Sequence, residues 1–253
     1  MKKKTSKKIS IALAIIAAAA AFLALITLLT LGEQNRGNNS DPTLSPTASD
    51  NPAETSVPIV IEDGSEKSLG YGIELKNIAS VSGIYYEDGS NAMLTDFLSA
   101  TFYNNSDTYI QYAAIRLNCD GVEYNFELSV VPPKSYIRAF DTNKKSAPVR
   151  VVSAKGEVMQ YVAFSETPSL HEDLFEITAA ENVLYVKNIS GKDITEDFYI
   201  CYKNYDSGIL IGGICYSLKI EGGIAAGETY TAYARHFSTR YSMLMFVNYH
   251  EQD

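Results

Sequence analysis

Hydrophobic and polar positions divide the chain into three stretches of different texture. Residues 9–31 read ISIALAIIAAAAAFLALITLLTL, with no charge, Pro or Gly. As a helix this run spans ~35 Å, enough for a ~30 Å hydrocarbon core with some tilt. It lacks the polar face that a soluble amphipathic helix carries. Residues 33–67 are the opposite: Asn, Ser, Thr, Pro, Asp and Glu dominate, and aromatics are absent. That composition buries too little apolar surface to offset the entropy lost on ordering. Inside it, Val57–Ile61 is compatible with a short strand or with docking on the folded domain. From about Leu69 a period of two takes over.

Runs rich in Tyr, Ile, Val, Phe and Thr then alternate with turn clusters. Strands are predicted at Gly72–Ile78, Leu98–Tyr103, Ile110–Leu117, Val122–Val131, Tyr136–Phe140, Val149–Val152 and Gln160–Phe164. A second series covers Leu174–Thr178, Val183–Lys187, Phe198–Lys203, Gly213–Ile220, Thr229–His236 and Ser242–Tyr249. Residues 91–98 are the one stretch with room for a helical turn. Strands at this spacing, without long amphipathic helices, predict an all-β sandwich architecture.

Two stretches look alike. Ala100–Asn118 and Val183–Lys203 each read strand, Asn/Ser turn, then a Tyr- or Ile-rich strand. Val131-Pro132-Pro133-Lys134-Ser135-Tyr136 parallels Ile224-Ala225-Ala226-Gly227-Glu228-Thr229 in the same order. Their shared order predicts two related β-sandwich units, 68–165 and 166–253. One continuous sandwich is the alternative.

Charge sets the expected topology. Five of the 21 basic residues (Lys2, Lys3, Lys4, Lys7, Lys8) precede the apolar run and no acid does, leaving 16 basic against 30 acidic groups after it, a balance of −14. The positive-inside rule places residues 1–8 in the cytosol, a transmembrane helix at 9–32, a disordered acidic linker at 33–67 and both sandwich units outside the cell. A cleaved secretory signal fits less well. Its apolar core runs about 7–15 residues before a small-x-small site, and this run ends in Leu28-Leu29-Thr30-Leu31. The acidic body argues against nucleic acid, which needs cationic partners. The expected partners are the membrane, through residues 9–31, and a cell-surface protein or glycan.

The second unit resembles the FxLYD-type, immunoglobulin-like domains of Gram-positive extracytoplasmic proteins. The residues that carry this are Val186-Lys187-Asn188, Phe198-Tyr199-Ile200-Cys201-Tyr202, Asp206-Ser207-Gly208 and Ala226-Gly227-Glu228-Thr229. The first unit matches through Asn105-Ser106 and Pro132-Pro133-Lys134-Ser135, without a Gly-Glu pair. The whole chain also looks like a group of anchored bacterial proteins through Ser82–Ser90 (SGIYYEDGS) and Leu210–Tyr216 (LIGGICY). The resemblance implies tandem immunoglobulin- or fibronectin-like sandwiches, surface display and a binding or structural role. It supplies no catalytic residue.

Candidate chemistry is sparse. His171-Glu172-Asp173 is the densest polar cluster holding a histidine, but Leu174-Phe175 come next and no H-E-x-x-H forms. Glu87-Asp88-Gly89-Ser90-Asn91 offers clustered oxygens of the kind hard cations take, and a β-turn explains it equally. Cys119, Cys201 and Cys215 lack zinc spacing; Cys201 and Cys215 are either buried thiols or one bridge outside the cell. The N-x-S sequences at Asn104 and Asn188 occupy matching places and are read as turn chemistry. No G-x-S-x-G, P-loop, G-x-G-x-x-G or C-x-x-C occurs. No catalytic, cofactor-binding or metal residue is assigned, and no cofactor is expected. The function expected is that of a membrane-tethered, non-enzymatic interaction module at the bacterial cell surface. A structural spacer or envelope-assembly component comes second and a secreted hydrolase last.

Overall fold

The computed structural model describes residues 54–64 and 67–249. The expected transmembrane helix at 9–32 and most of the linker lie outside the described residues. Asn51–Asp253 forms one compact unit. Among the described residues no helix occurs, and so none is long and apolar enough to cross a membrane.

The described residues are all-β. The strands are β1 (Thr55–Ile59), β2 (Lys67–Gly70), β3 (Ile73–Tyr85), β4 (Ala92–Asn104), β5 (Ile110–Cys119), β6 (Val122–Val131), β7 (Ser135–Phe140) and β8 (Ala154–Ala163). The chain continues through β9 (Phe175–Ala180), β10 (Val183–Asn188), β11 (Phe198–Asp206), β12 (Ile209–Ile220), β13 (Thr229–Tyr233) and β14 (Ser242–Asn248). Period-two burial places most of these strands as expected, while β2 is additional, β8 begins six residues before the expected Gln160–Phe164 and β13 ends three residues before His236. In β5, for example, Ala113, Ile115, Leu117 and Cys119 are buried while the residues between them reach toward solvent.

Three expectations are corrected. The helical turn at 91–98 is instead the start of β4, where Ala92 to Leu94 pair with Tyr85 to Gly83. Val149–Val152 is not a strand; only Val151 bridges, to Ile61, and Val149 is fully exposed. The disordered linker expected over 33–67 does not extend that far. Thr55–Ile59 pairs with β3, and Ile59 and Ile61 are buried in the core. Two isoleucines with sockets outweigh the polar composition around them, because each buried side chain contributes about 1.5–3 kcal/mol. A two-pronged Glu54–Arg138 ion pair, at 2.8 and 3.0 Å, fastens the start of this segment to β7.

Connectivity repeats along the chain. β3–β4–β7 and β6–β5–β8 face each other around one core; β9–β10–β13 and β12–β11–β14 face each other around another. Strand for strand, β9 to β14 retrace β3 to β8. The two halves expected as consecutive units are joined through their sheets. β7 pairs in parallel with β12 (Ile209 with Tyr136, Leu210 with Ile137, Ile211 with Arg138), which merges β1–β3–β4–β7 and β12–β11–β14 into one eight-stranded sheet that also carries β2.

The Asn turns repeat atom for atom. Asn104 and Asn188 are buried. Asn104 Nδ2 donates to Thr108 O and to Val131 and Pro132 O; Asn188 Nδ2 donates to Lys192 O and Ile224 O. Each Oδ1 accepts from the backbone N–H and the hydroxyl of the serine two residues on, Ser106 or Ser190. Each asparagine carbonyl accepts an N–H from a residue with positive φ, Lys134 (54°) or Gly227 (77°). Each side chain therefore ties a turn to the loop that enters the fifth strand of its half. Neither side chain points outward.

Asn104→Ala and Asn188→Ala should each lower unfolding stability by about 2–4 kcal/mol in urea titrations, because several buried carbonyl and amide groups lose their partner together. Asn105→Ala, whose amide reaches the exposed Glu74 carboxylate, should stay within about 0.5 kcal/mol of the parent.

Candidate functional site

The most unusual chemistry in the fold lies where the halves meet. In β11, Phe198, Ile200 and Tyr202 enter the second core, whereas Cys201 belongs to the first. The alternation carries Lys203 to the same side as Cys201, and this lysine is completely buried. Its ammonium donates three hydrogen bonds: to Ser129 O on β6 at 2.9 Å, Gly213 O at 3.0 Å and Ile214 O at 2.7 Å, both on β12. These use all three donors of the group.

The opposite charge comes from the turn after β3. Glu87 sends its carboxylate inward, where Oε1 accepts the Phe140 N–H of β7 at 2.8 Å and both oxygens accept the Gly213 N–H at 2.8 and 2.7 Å. The parallel pairing of β7 with β12 ends at Arg138 and Ile211, and Glu87 occupies the gap beyond it. A side chain thus completes the ladder where two backbones diverge. The divergence follows from Gly212, with φ 82°, whose missing Cβ also makes room for the Tyr86 ring. At Gly213 a Cβ would fall inside the Glu127 carbonyl oxygen, so only glycine fits.

One residue, Gly213, therefore lies between the two charges, through the two peptide groups that flank its Cα. The Gly213 N–H points to Glu87, and its carbonyl takes the Lys203 ammonium and the Ser129 hydroxyl, the latter at 2.6 Å. Withdrawal from water pushes Glu87 up to about 7, against the pull of the backbone amides and Lys203. Withdrawal from water brings Lys203 down to about 8, with Cys215 and Glu87 holding its charge. Between those two values both groups are charged and both are bonded to main chain.

The same turn grips the second half again. Asn91 Nδ2 lies 3.3 Å from His236 Nδ1, and His236 stacks on Tyr216, which stacks on Tyr202. Tyr85 completes the turn's footing through its hydroxyl on Asp141 O at 3.1 Å and its packing on Phe97 and Phe140.

The sequence candidates are dispersed. Within Glu87–Asn91 the carboxylates part: Glu87 turns in, while Asp88 accepts from Ser90 and pairs with Lys144 at 2.6 Å. Among the described residues no group of His, Cys, Asp and Glu gathers to hold a metal ion. His171 takes a positive φ of 50° in the connection to β9, where its carbonyl accepts the Leu174 and Phe175 amides. A shallow groove lined by Arg116, Asn118, Glu123, Lys155, Gly156 and Glu157 is polar, and Arg116 is already paired there with Glu157 and Glu123. Sequence reasoning does not single out Lys203. Its signal is a lysine in the apolar phase of a strand, flanked by Tyr202 and Asn204.

Comparisons of the chain with protein-family models, with characterised proteins and with solved structures find no match. The functional reading therefore rests on the molecule's own geometry.

Glu87→Gln and Lys203→Met should each destabilise the fold by about 3–5 kcal/mol, since each leaves the other charge uncompensated. The double variant should cost less than the sum, measured by urea denaturation as a double-mutant cycle. The pH dependence has a fixed sign. The folded pKa of Glu87 is raised above the unfolded value of 4.5, so its contribution is present below that value and lost as pH rises toward about 7. The folded pKa of Lys203 is depressed from 10.5, so its contribution is present above 10.5 and lost as pH falls toward about 8. Difference curves of parent minus Glu87→Gln should fall across the acid window. Those of parent minus Lys203→Met should fall from alkaline pH toward about 8.

Proposed function

We propose that this is a membrane-tethered extracytoplasmic protein whose paired β-sandwiches act as a non-enzymatic interaction module at the bacterial cell surface. Residues 9–31 serve as the anchor, residues 1–8 stay in the cytosol, and the chain before β1 serves as a stalk. The two halves are immunoglobulin-like units of the FxLYD type. The recurring strand order and the matched Asn104 and Asn188 turns support that finer reading.

The observation that carries the interaction role is the outer face of β13–β10–β9. Register places Tyr233, Val183 and Ala180 in one row and Thr231, Tyr185 and Thr178 in the next. All six side chains are uncharged, and Tyr233 (63 %) and Tyr185 (39 %) keep large exposed areas. The inner face of the same sheet packs on the second core through Leu184, Val186 and Ala232. Two uncharged, Tyr- and Thr-bearing rows, bordered by Lys187 and Glu176 in the next row, suit a protein or glycan partner, because tyrosine supplies contact area and a hydrogen-bonding tip at low entropic cost.

The locked junction favours a second reading, a rigid spacer. A parallel strand pair and a bonded pair of buried charges hold the halves together, as a spacer that must keep its length requires.

Protease treatment of intact cells should remove the domains, and the remaining N-terminal fragment should resist carbonate extraction. Purified protein should bind isolated cell envelopes, and Tyr185→Ala with Tyr233→Ala should weaken that binding roughly tenfold or more without moving Tm. Parent protein that stays in the supernatant would select the spacer.

A further inference from the structure

We propose that Cys201 and Cys215 are a redox pair that closes to a cross-strand disulfide in an oxidising milieu and reopens on reduction. The two residues lie on neighbouring antiparallel strands, β11 and β12. Both pack against the first core, on the side opposite Tyr202 and Tyr216, so they share one face of the sheet. Each thiol shifts the ionisation of the other, and the Cys215 Sγ lies 3.5 Å from Tyr202 O and 3.7 Å from Tyr216 O. Both are free thiols in this structure.

The pair is asymmetric in the way thiol–disulfide exchange needs. Cys215 is part-exposed as a residue while its thiol is withdrawn from water, and Cys201 is buried throughout. Burial works against ionisation of Cys215, but the Cys201 thiol and the Lys203 ammonium outweigh it and hold Cys215 below the usual thiol range. Cys201 is pushed up by the Cys215 thiol and by burial. Cys215 is therefore the attacking thiolate. It displaces one thiolate from a small-molecule or protein disulfide and forms a mixed disulfide. Cys201 passes its proton to a departing thiolate and attacks the Cys215 sulfur, expelling the second thiolate. The net change is one protein disulfide formed, one external disulfide reduced and two thiols released.

Register makes the bond labile. Ser217 stands directly opposite Cys201, so the bridge runs diagonally to Cys215. Diagonal neighbours across antiparallel strands lie about 7–8 Å apart, and a disulfide needs Cα atoms within about 6.8 Å. The strands must draw together by about an ångström, and a strained bridge is easily reduced. Closure also removes a negative neighbour of Lys203, so the oxidised protein should hold that proton less tightly.

The milieu rests on the extracytoplasmic reading proposed for the domains; the chemistry of the pair does not. Full-length detergent-solubilised protein would be equilibrated in reduced/oxidised glutathione buffers, alkylated and mapped by mass spectrometry. The expected product is a Cys201–Cys215 linked peptide, with Cys119, which is buried in the first core and pushed up to about 11 by burial, alkylated as a free thiol after unfolding. Oxidation should raise Tm by roughly 5–10 °C and shift the Lys203 titration below about 8. Cys119→Ser should keep all three responses, and Cys215→Ser should lose them. Thiols that remain free throughout the series, or a bridge to Cys119, would overturn the proposal. Acid-quenched alkylation of growing cells tests location separately: a bridge formed in glutathione but reduced in cells counts against the milieu and leaves the pair intact.

Discussion

A charged ammonium cannot stay inside a protein unless its donors are filled, and Lys203 sets that constraint for the whole junction. Three carbonyls fill it, and two of them come from a stretch of β12 bent outward by Gly212. The bend leaves the amides of Gly213 and Phe140 without a strand partner, and the Glu87 carboxylate serves both. Each feature calls for the next. The glycine pair, the inward glutamate, the close approach of β6 and the end of the β7–β12 ladder form one arrangement. The charges do not neutralise each other by touching. They act on adjacent peptide groups, Glu87 at the N–H of Gly213 and Lys203 at its carbonyl.

The fold was largely legible in the sequence because its signals are local. Period-two burial located nearly every strand. Asp120-Gly121 and Ser207-Gly208 mark tight two-residue hairpins in which both residues take positive φ, between 49° and 90°. The matched Asn-x-Ser turns were legible as turns, and their burial explains why they recur. The junction was not legible because its members lie far apart in the chain and each has an ordinary local explanation. Glu87 reads as part of a β-turn, Lys203 as the last residue of the Phe198–Lys203 strand, and Gly213 as the first residue of the next strand. Only the second half's outer face being covered by the first gives them a common cause. The β1 segment is legible only in part: Val57–Ile61 is compatible with a strand or with docking, but the prolines, acids and serines around it read as linker.

The repeated halves are used differently. In the first, the outer face of β6–β5–β8 keeps charges such as Arg116 and Glu157, bonded to each other at the surface. In the second, the equivalent strands carry Cys201, Phe246 and Lys203 against the first half. A surface that would ordinarily be wet has become an interior. A lysine on such a face must then find carbonyls instead of water. The open face of the second half has moved to β13–β10–β9, whose uncharged rows contrast with the acidic surroundings.

Parallel pairing across the junction also sets an order of events during synthesis. β7 is flanked on one side by β4, which precedes it, and on the other by β12, which begins about 70 residues later. At ribosomal rates of about 5–20 residues per second, that side of β7 waits several seconds for its neighbour. During the wait, its unpaired amides and carbonyls form a template that any other extended chain can join. Truncation after the first half would make that exposure permanent. The second half therefore also acts, for its predecessor, as a cover over an adhesive edge.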